Sequence, residues 1–151
     1  MPGSEQPGMR TGPVSMPLSG LTQALVRANG LDARGFVAWH VEPAMRFGAL
    51  EMWWARGEPR PRPHEGLDLC WWRDRARAVH ALGTETRIPA MYDGTVVHLC
   101  DDLIGRSVMM EHHLPDLPGY AYTLYGHTRP LVRLAAGQTV HAGEIVAHLA
   151  P

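Results

Sequence analysis

The sequence contains no lysine: its fourteen basic residues are all arginine, against fifteen acidic ones and a formal net charge of −1. A near-neutral chain offers no dominant electrostatic attraction to nucleic acid or to an anionic membrane surface. The missing lysine also removes the side chain on which a covalent carrier domain mounts its arm. Two cysteines, Cys70 and Cys100, are too few for a disulfide framework, and both are expected as free thiols among apolar neighbours. No apolar run is long enough for a membrane-spanning helix, and residues 1–20 hold no signal-peptide core. Those twenty residues, rich in proline, glycine and serine, read as a flexible leader. The 151 residues suffice for one domain with a real core.

Residues 21–63 read as an N-terminal helix and connector. Apolar residues at 21, 24, 25 and 28 recur with a helical period, and Asn29-Gly30 supplies a stop, so a helix is expected over Leu21–Asn29. Phe36–Trp39 and Leu50–Trp54 are short apolar patches. The run Arg56-Gly57-Glu58-Pro59-Arg60-Pro61-Arg62-Pro63 predicts a stiff extended connector that leads into His64. Its arginines read as solvated loop charge, with an anionic substrate as the functional alternative.

From residue 64 to residue 151 short strands and turns succeed one another. Strands are expected at Leu67–Trp72, Thr95–Leu99, Ser107–Glu111, Tyr120–Tyr125 and Ile145–Leu149, with turns at Tyr92-Asp93-Gly94, at Asp101 to Gly105 and at Ala136-Gly137-Gln138. Arg73–Leu82 reads as a loop or a short helical turn. The pattern predicts a mainly β, sandwich-like or barrel-like core.

His64 and Asp68, four residues apart, pair a neutral nitrogen with an anionic oxygen, a mixture that catalytic zinc accepts. Pro63 and Gly66 argue against a helix there. A straight strand would hold the two roughly 13 Å apart, so a bent loop turning at Gly66 is the workable geometry. Taken alone the pair reads as a surface histidine and a turn aspartate.

The company of the pair changes that reading. His64-Glu65-Gly66-Leu67-Asp68 is followed in order by Pro89-Ala90-Met91-Tyr92-Asp93-Gly94-Thr95-Val96 and by Val108-Met109-Met110-Glu111-His112. Thr123-Leu124-Tyr125-Gly126-His127 comes next, and Gly137-Gln138-Thr139-Val140-His141-Ala142-Gly143-Glu144-Ile145-Val146-Ala147 closes the series. This succession resembles the core of the lysostaphin-type (LytM-like) zinc metalloendopeptidases, over roughly His64–Leu149. The resemblance implies the duplicated hybrid motif, a mostly antiparallel β fold, and a Zn2+ cofactor. It implies His64 and Asp68 as metal ligands, His127 as the catalytic histidine, and cell-wall peptidoglycan peptides as substrate. It also implies the periplasm or cell envelope as the place of action, although no export signal is visible. Trp71, Trp72, Tyr120, Tyr122 and Tyr125 are candidate groove walls, each with core packing as the plainer role.

The family draws its third zinc ligand from a C-terminal histidine-x-histidine motif, and no such motif occurs in this sequence. Three protein ligands plus water is the working arrangement for catalytic zinc. The expectation is therefore a truncated or catalytically impaired endopeptidase that binds zinc weakly. The alternative is a non-catalytic peptidoglycan-binding or regulatory domain of the same fold. His112 is expected near the cleft, His148 is the sole histidine after the Gly143-Glu144-Ile145 turn, and His40, His80, His98 and His141 read as surface or packing residues. The closing segment also resembles the hairpin of lipoyl and biotinyl carriers, which the absent lysine excludes, and of sugar-phosphotransferase carriers.

Overall fold

The computed structural model describes residues 17–55, 57–115 and 117–151. Most of the expected leader, residues 1–16, and Arg56 lie outside the described residues. The periodic segment at the start forms helix α1 (Leu21–Ala28), which buries Leu25. Asn29 ends it in two ways. Its side-chain amide donates to Leu25 O at 2.9 Å, and it exchanges hydrogen bonds with the backbone of Arg87 at 2.9 and 2.7 Å. One side chain thus caps the helix and ties it to the first strand of the main sheet.

A small antiparallel sheet joins β1 (Phe36–His40), β2 (Trp71–Asp74) and β3 (Val79–Ala81). The main sheet contains β4 (Arg87–Pro89), β5 (Gly94–Asp101), β6 (Arg106–His112), β7 (Ala121–Pro130), β8 (Thr139–Val140) and β9 (Ile145–Leu149). Its order is β4-β9-β7-β6-β5-β8, every neighbouring pair is antiparallel, and the sheet curls into a half-barrel. Val96, Val108, Met110, Tyr125, Val140 and Val146 pack together as its hydrophobic core. The chain is mainly β, as the strand and turn pattern predicts. Among the described residues no helix is long and apolar enough to cross a membrane.

Three local expectations are corrected. The proline-rich run is no extended connector: it turns back on the residues before it, with Met52 N–H bonded to Glu58 O at 2.9 Å and Arg60 N–H to Leu50 O at 2.8 Å. Proline lacks its own N–H, yet its neighbours and its carbonyl still pair, as the isolated bridge Glu51–Pro59 does. The strand expected at Leu67–Trp72 begins only at Trp71. Leu67–Cys70 is tied instead by single backbone bonds, Asp68 N–H to Met45 O (3.0 Å) and Leu82 N–H to Cys70 O (2.9 Å). Arg73–Leu82 is a hairpin, β2 to β3, because cross-strand contacts outweigh local preference. His80 stacks on Trp72 at 4.4 Å, and its ring meets Asp74 at 2.8 Å.

Candidate active site

A short 3-10 turn, Pro43–Met45, is the post on which the His64–Asp68 loop hangs. Met45 O takes the Asp68 N–H, and the next carbonyl, that of Arg46, lies 3.1 Å from His64 Nδ1. The backbone of His64 is clamped in addition, donating to Ala49 O at 2.9 Å and accepting from Gly48 N–H at 2.7 Å. A carbonyl only accepts, so Nδ1 carries a proton and Nε2 turns elsewhere. It turns to Asp68: Nε2 and Oδ1 are 3.3 Å apart. The other carboxylate oxygen receives the Trp53 indole N–H at 2.7 Å, with the Arg60 guanidinium at 3.8 Å. Arg60 also donates to Ala44 O and Glu51 O, so it is folded inward as a structural tie.

Gly66 does not make this bend possible in the way its position suggests. It lies outside the left-handed region, and a Cβ placed on it would meet only His64 Nε2, at an ordinary 3.8 Å. The carbonyls of Met45 and Arg46 set the geometry instead.

His127 lies in β7 at an irregularity. Tyr125 pairs with Val108 and Thr128 with Arg106, so Gly126 and His127 together oppose Ser107 alone, a β-bulge. His127 takes φ +58°, which an L side chain adopts only when surrounding bonds hold it there. Asp102, on the turn between β5 and β6, provides those bonds. Its Oδ2 accepts the His127 backbone N–H at 2.7 Å and the Ser107 hydroxyl at 2.8 Å, and its Oδ1 lies 3.1 Å from His127 Nδ1. Burial pushes the Asp102 carboxyl up, but these hydrogen bonds outweigh it and hold the group well below the usual carboxylate range. Gly105 lets the turn approach: a Cβ there would sit 2.8 Å from Thr128 O and from the Ala150 side chain.

Asp68 and His127 line one cleft of about 510 Å³, together with Leu21, Ile88, Met91 and Tyr122. His64 reaches that cleft through Asp68 and is not itself part of its lining. Residues 122–128 of β7 line it consecutively. Side chains of one strand face recur at every second residue, so an unbroken run means that the cleft follows the strand's edge. The pairing agrees. β6 covers one flank of β7 from Ala121 onward, whereas β9 covers the other only from Thr128 to Pro130. Leu67–Cys70, also consecutive, forms the opposite wall. The cleft therefore runs along the open edge of β7, with the Leu67–Cys70 segment as a further wall.

The remaining candidates are elsewhere. His112 is fully buried beneath the cleft, with Nδ1 2.8 Å from Asp93 O and Nε2 2.8 Å from the Thr123 hydroxyl, so both nitrogens are engaged. His148 lies in β9 between Arg87 and Arg129 and does not line the cleft. Tyr125 and Trp72 are core residues, while Tyr122 is exposed on the cleft wall with its hydroxyl on Glu111 at 2.7 Å. Both cysteines are free and only partly buried, and Cys70 lines the cleft. Burial, helped by the charge of Asp68, pushes the Cys70 thiol up to about 11. Among the described residues no third His, Cys, Asp or Glu joins His64 and Asp68 in a metal-binding group. Sequence reasoning missed Asp102, Trp53 and the Met45 and Arg46 carbonyls. Asp102 carries only a turn signal in the sequence, and Trp53 only an apolar one. No protein-family model, curated protein or solved structure matches the chain.

Proposed function

We propose that this cleft is a peptide site of the lysostaphin-type zinc endopeptidase kind, built on a duplicated hybrid motif and directed at peptidoglycan peptides of the cell envelope. The observation that carries the reading is the 3.3 Å between His64 Nε2 and Asp68 Oδ1. Two donors bound tetrahedrally at about 2.0–2.1 Å from one zinc ion lie about 3.3–3.4 Å apart. The atoms around them fit the same role. The Arg46 carbonyl fixes the imidazole tautomer and the Trp53 indole orients the carboxylate, as outer partners of metal ligands do.

His64 and Asp68 would hold the ion through Nε2 and Oδ1. Zinc, when bound, supplies a Lewis acid for the scissile carbonyl and an acidified water. His127 Nε2 takes the proton from the attacking water as its oxygen bonds the carbonyl carbon. It returns that proton to the departing amine nitrogen as the C–N bond breaks. The open edge of β7 suits an extended peptide, which adds to such edges through its own backbone. A second reading, a domain that binds wall peptides or regulates a wall hydrolase without cleaving them, is favoured by the two-donor set among the described residues.

Calorimetric zinc titration of the chain, beside His64→Ala and Asp68→Ala, tests the metal site. Incubation with purified peptidoglycan tests the ligand. Zinc binding lost in both variants, with peptidoglycan retained on the protein, supports the proposal, and released peptides select the enzymic reading over the binding one. Absence of both zinc and peptidoglycan binding overturns it.

A further inference from the structure

His127 is held at two points, backbone and ring, by one carboxylate. Asp102 Oδ2 takes its backbone N–H at 2.7 Å, Asp102 Oδ1 faces its ring Nδ1 at 3.1 Å, and Oδ1 also receives the Gly105 N–H at 2.9 Å, which fixes the carboxylate itself. Ser107, the single residue opposite the bulge, donates its hydroxyl to Oδ2. These bonds keep a non-glycine residue at φ +58° inside a β-strand, in the left-handed region where the surroundings must hold it. The bulge leaves the ring half exposed at the cleft, with Nε2 free of any protein partner among the described residues.

We propose that Asp102 is the positioning residue for His127: its carboxylate fixes the ring as the Nδ1–H tautomer, in the bulged orientation, so that Nε2 is the proton acceptor presented to the cleft. An ionised carboxylate has no proton to give, so Nδ1 must carry the one they share, and the basic lone pair lies on Nε2. The hydrogen bonds that hold the Asp102 carboxyl below the usual carboxylate range keep it in that ionised acceptor form at neutral pH. The other titratable groups lining the same cleft are Asp68, Cys70, Tyr122 and Tyr125. The tyrosine hydroxyls are bonded elsewhere, to Met91 N–H and to Glu111, and Asp102 is the carboxylate that meets the His127 ring, so the tautomer is set by Asp102. The catalytic consequence rests on the hydrolase reading above, but the tautomer does not.

Nitrogen-15 NMR of the histidine-labelled full chain, without metal or peptide, tests this. At pH above the ring's titration the wild type should show His127 with a protonated Nδ1 and an unprotonated Nε2. Asp102→Ala removes the acceptor that faces Nδ1, so the proton should shift to Nε2 and the two ring nitrogens should exchange their protonated and unprotonated signals. A wild-type His127 in the Nε2–H form overturns the proposal, even if Asp102→Ala does not fold. An unchanged tautomer in a folded Asp102→Ala overturns it equally. Failure to cleave or bind peptide leaves these spectra unaffected, so it would sink the hydrolase reading alone.

Discussion

Gly94→Ala is the substitution for which the structure gives the sharpest expectation. Gly94 opens β5, opposite Val140 of β8 and against the end of β6. A Cβ there would lie 2.3 Å from Glu111 O and 2.5 Å from His112 Nδ1. Neither neighbour can yield freely. Glu111 O is backbone, and the His112 ring is fully buried and held at both nitrogens, by Asp93 O and by the Thr123 hydroxyl. Relieving both clashes requires lifting the start of β5 off the Glu111 carbonyl of β6 and pushing the ring off Asp93 O. The first strains packing by about 1–3 kcal/mol. The second leaves a buried donor unsatisfied, at about 1–3 kcal/mol more. Together they give about 2–6 kcal/mol, which for a chain of this length lowers Tm by about 5–20 °C. Thermal unfolding followed by circular dichroism, with urea titration to confirm an unchanged m-value, measures it. Gly83→Ala is the comparison, since nothing lies within 4 Å of the added carbon. A Gly94→Ala Tm within about 2 °C of the Gly83→Ala value, within the range of neutral surface changes, would refute the reasoning.

Cys70 should react with iodoacetamide at pH 8 about two orders of magnitude more slowly than a free thiol, because burial holds its titration near 11 and leaves little thiolate; labelling at the free-thiol rate would contradict that burial. Asp102 titrates lower in the folded chain than unfolded, so its contribution to stability is fully present above the unfolded value near pH 4 and is lost as pH falls below it. The stability gap between wild type and Asp102→Asn should therefore narrow in acid, and a gap independent of pH from 2 to 7 would count against the native hydrogen bonds to Asp102. Appending a strand that carries histidine-x-histidine should tighten zinc binding by calorimetry and bring peptide cleavage, since a third protein ligand replaces water with preorganised geometry; unchanged affinity would argue that the cleft does not place that strand beside Asp68.

Much of the scaffold was legible because its signals are local. The 3.6-residue period of Leu21, Ala24, Leu25 and Ala28 gave α1, and Asp102 with Gly105 marked the hairpin between β5 and β6. Alternation at Tyr120–Tyr125 gave the start of β7, with Ala121 and Tyr125 inward and Tyr120, Tyr122 and Leu124 outward. The sequence marked His64 and Asp68 as a pair, and their Nε2 and Oδ1 atoms lie 3.3 Å apart.

The sequence by itself determined which segments alternate, turn or coil, since those preferences arise within a few residues. Only tertiary structure decided which edges were left open and which polar groups met. Arg73–Leu82 became a hairpin because Trp72 and His80 found each other across two strands, and Glu58–Arg60 folded back because their backbone groups met those of Leu50 and Met52. Trp53 reaches Asp68 across fifteen residues and Asp102 reaches His127 across twenty-five. Strand register and turn approach set such distances, and the one-dimensional pattern of apolar and polar residues encodes neither, because a hydrogen bond depends on where two chain segments arrive and not on what precedes each of them.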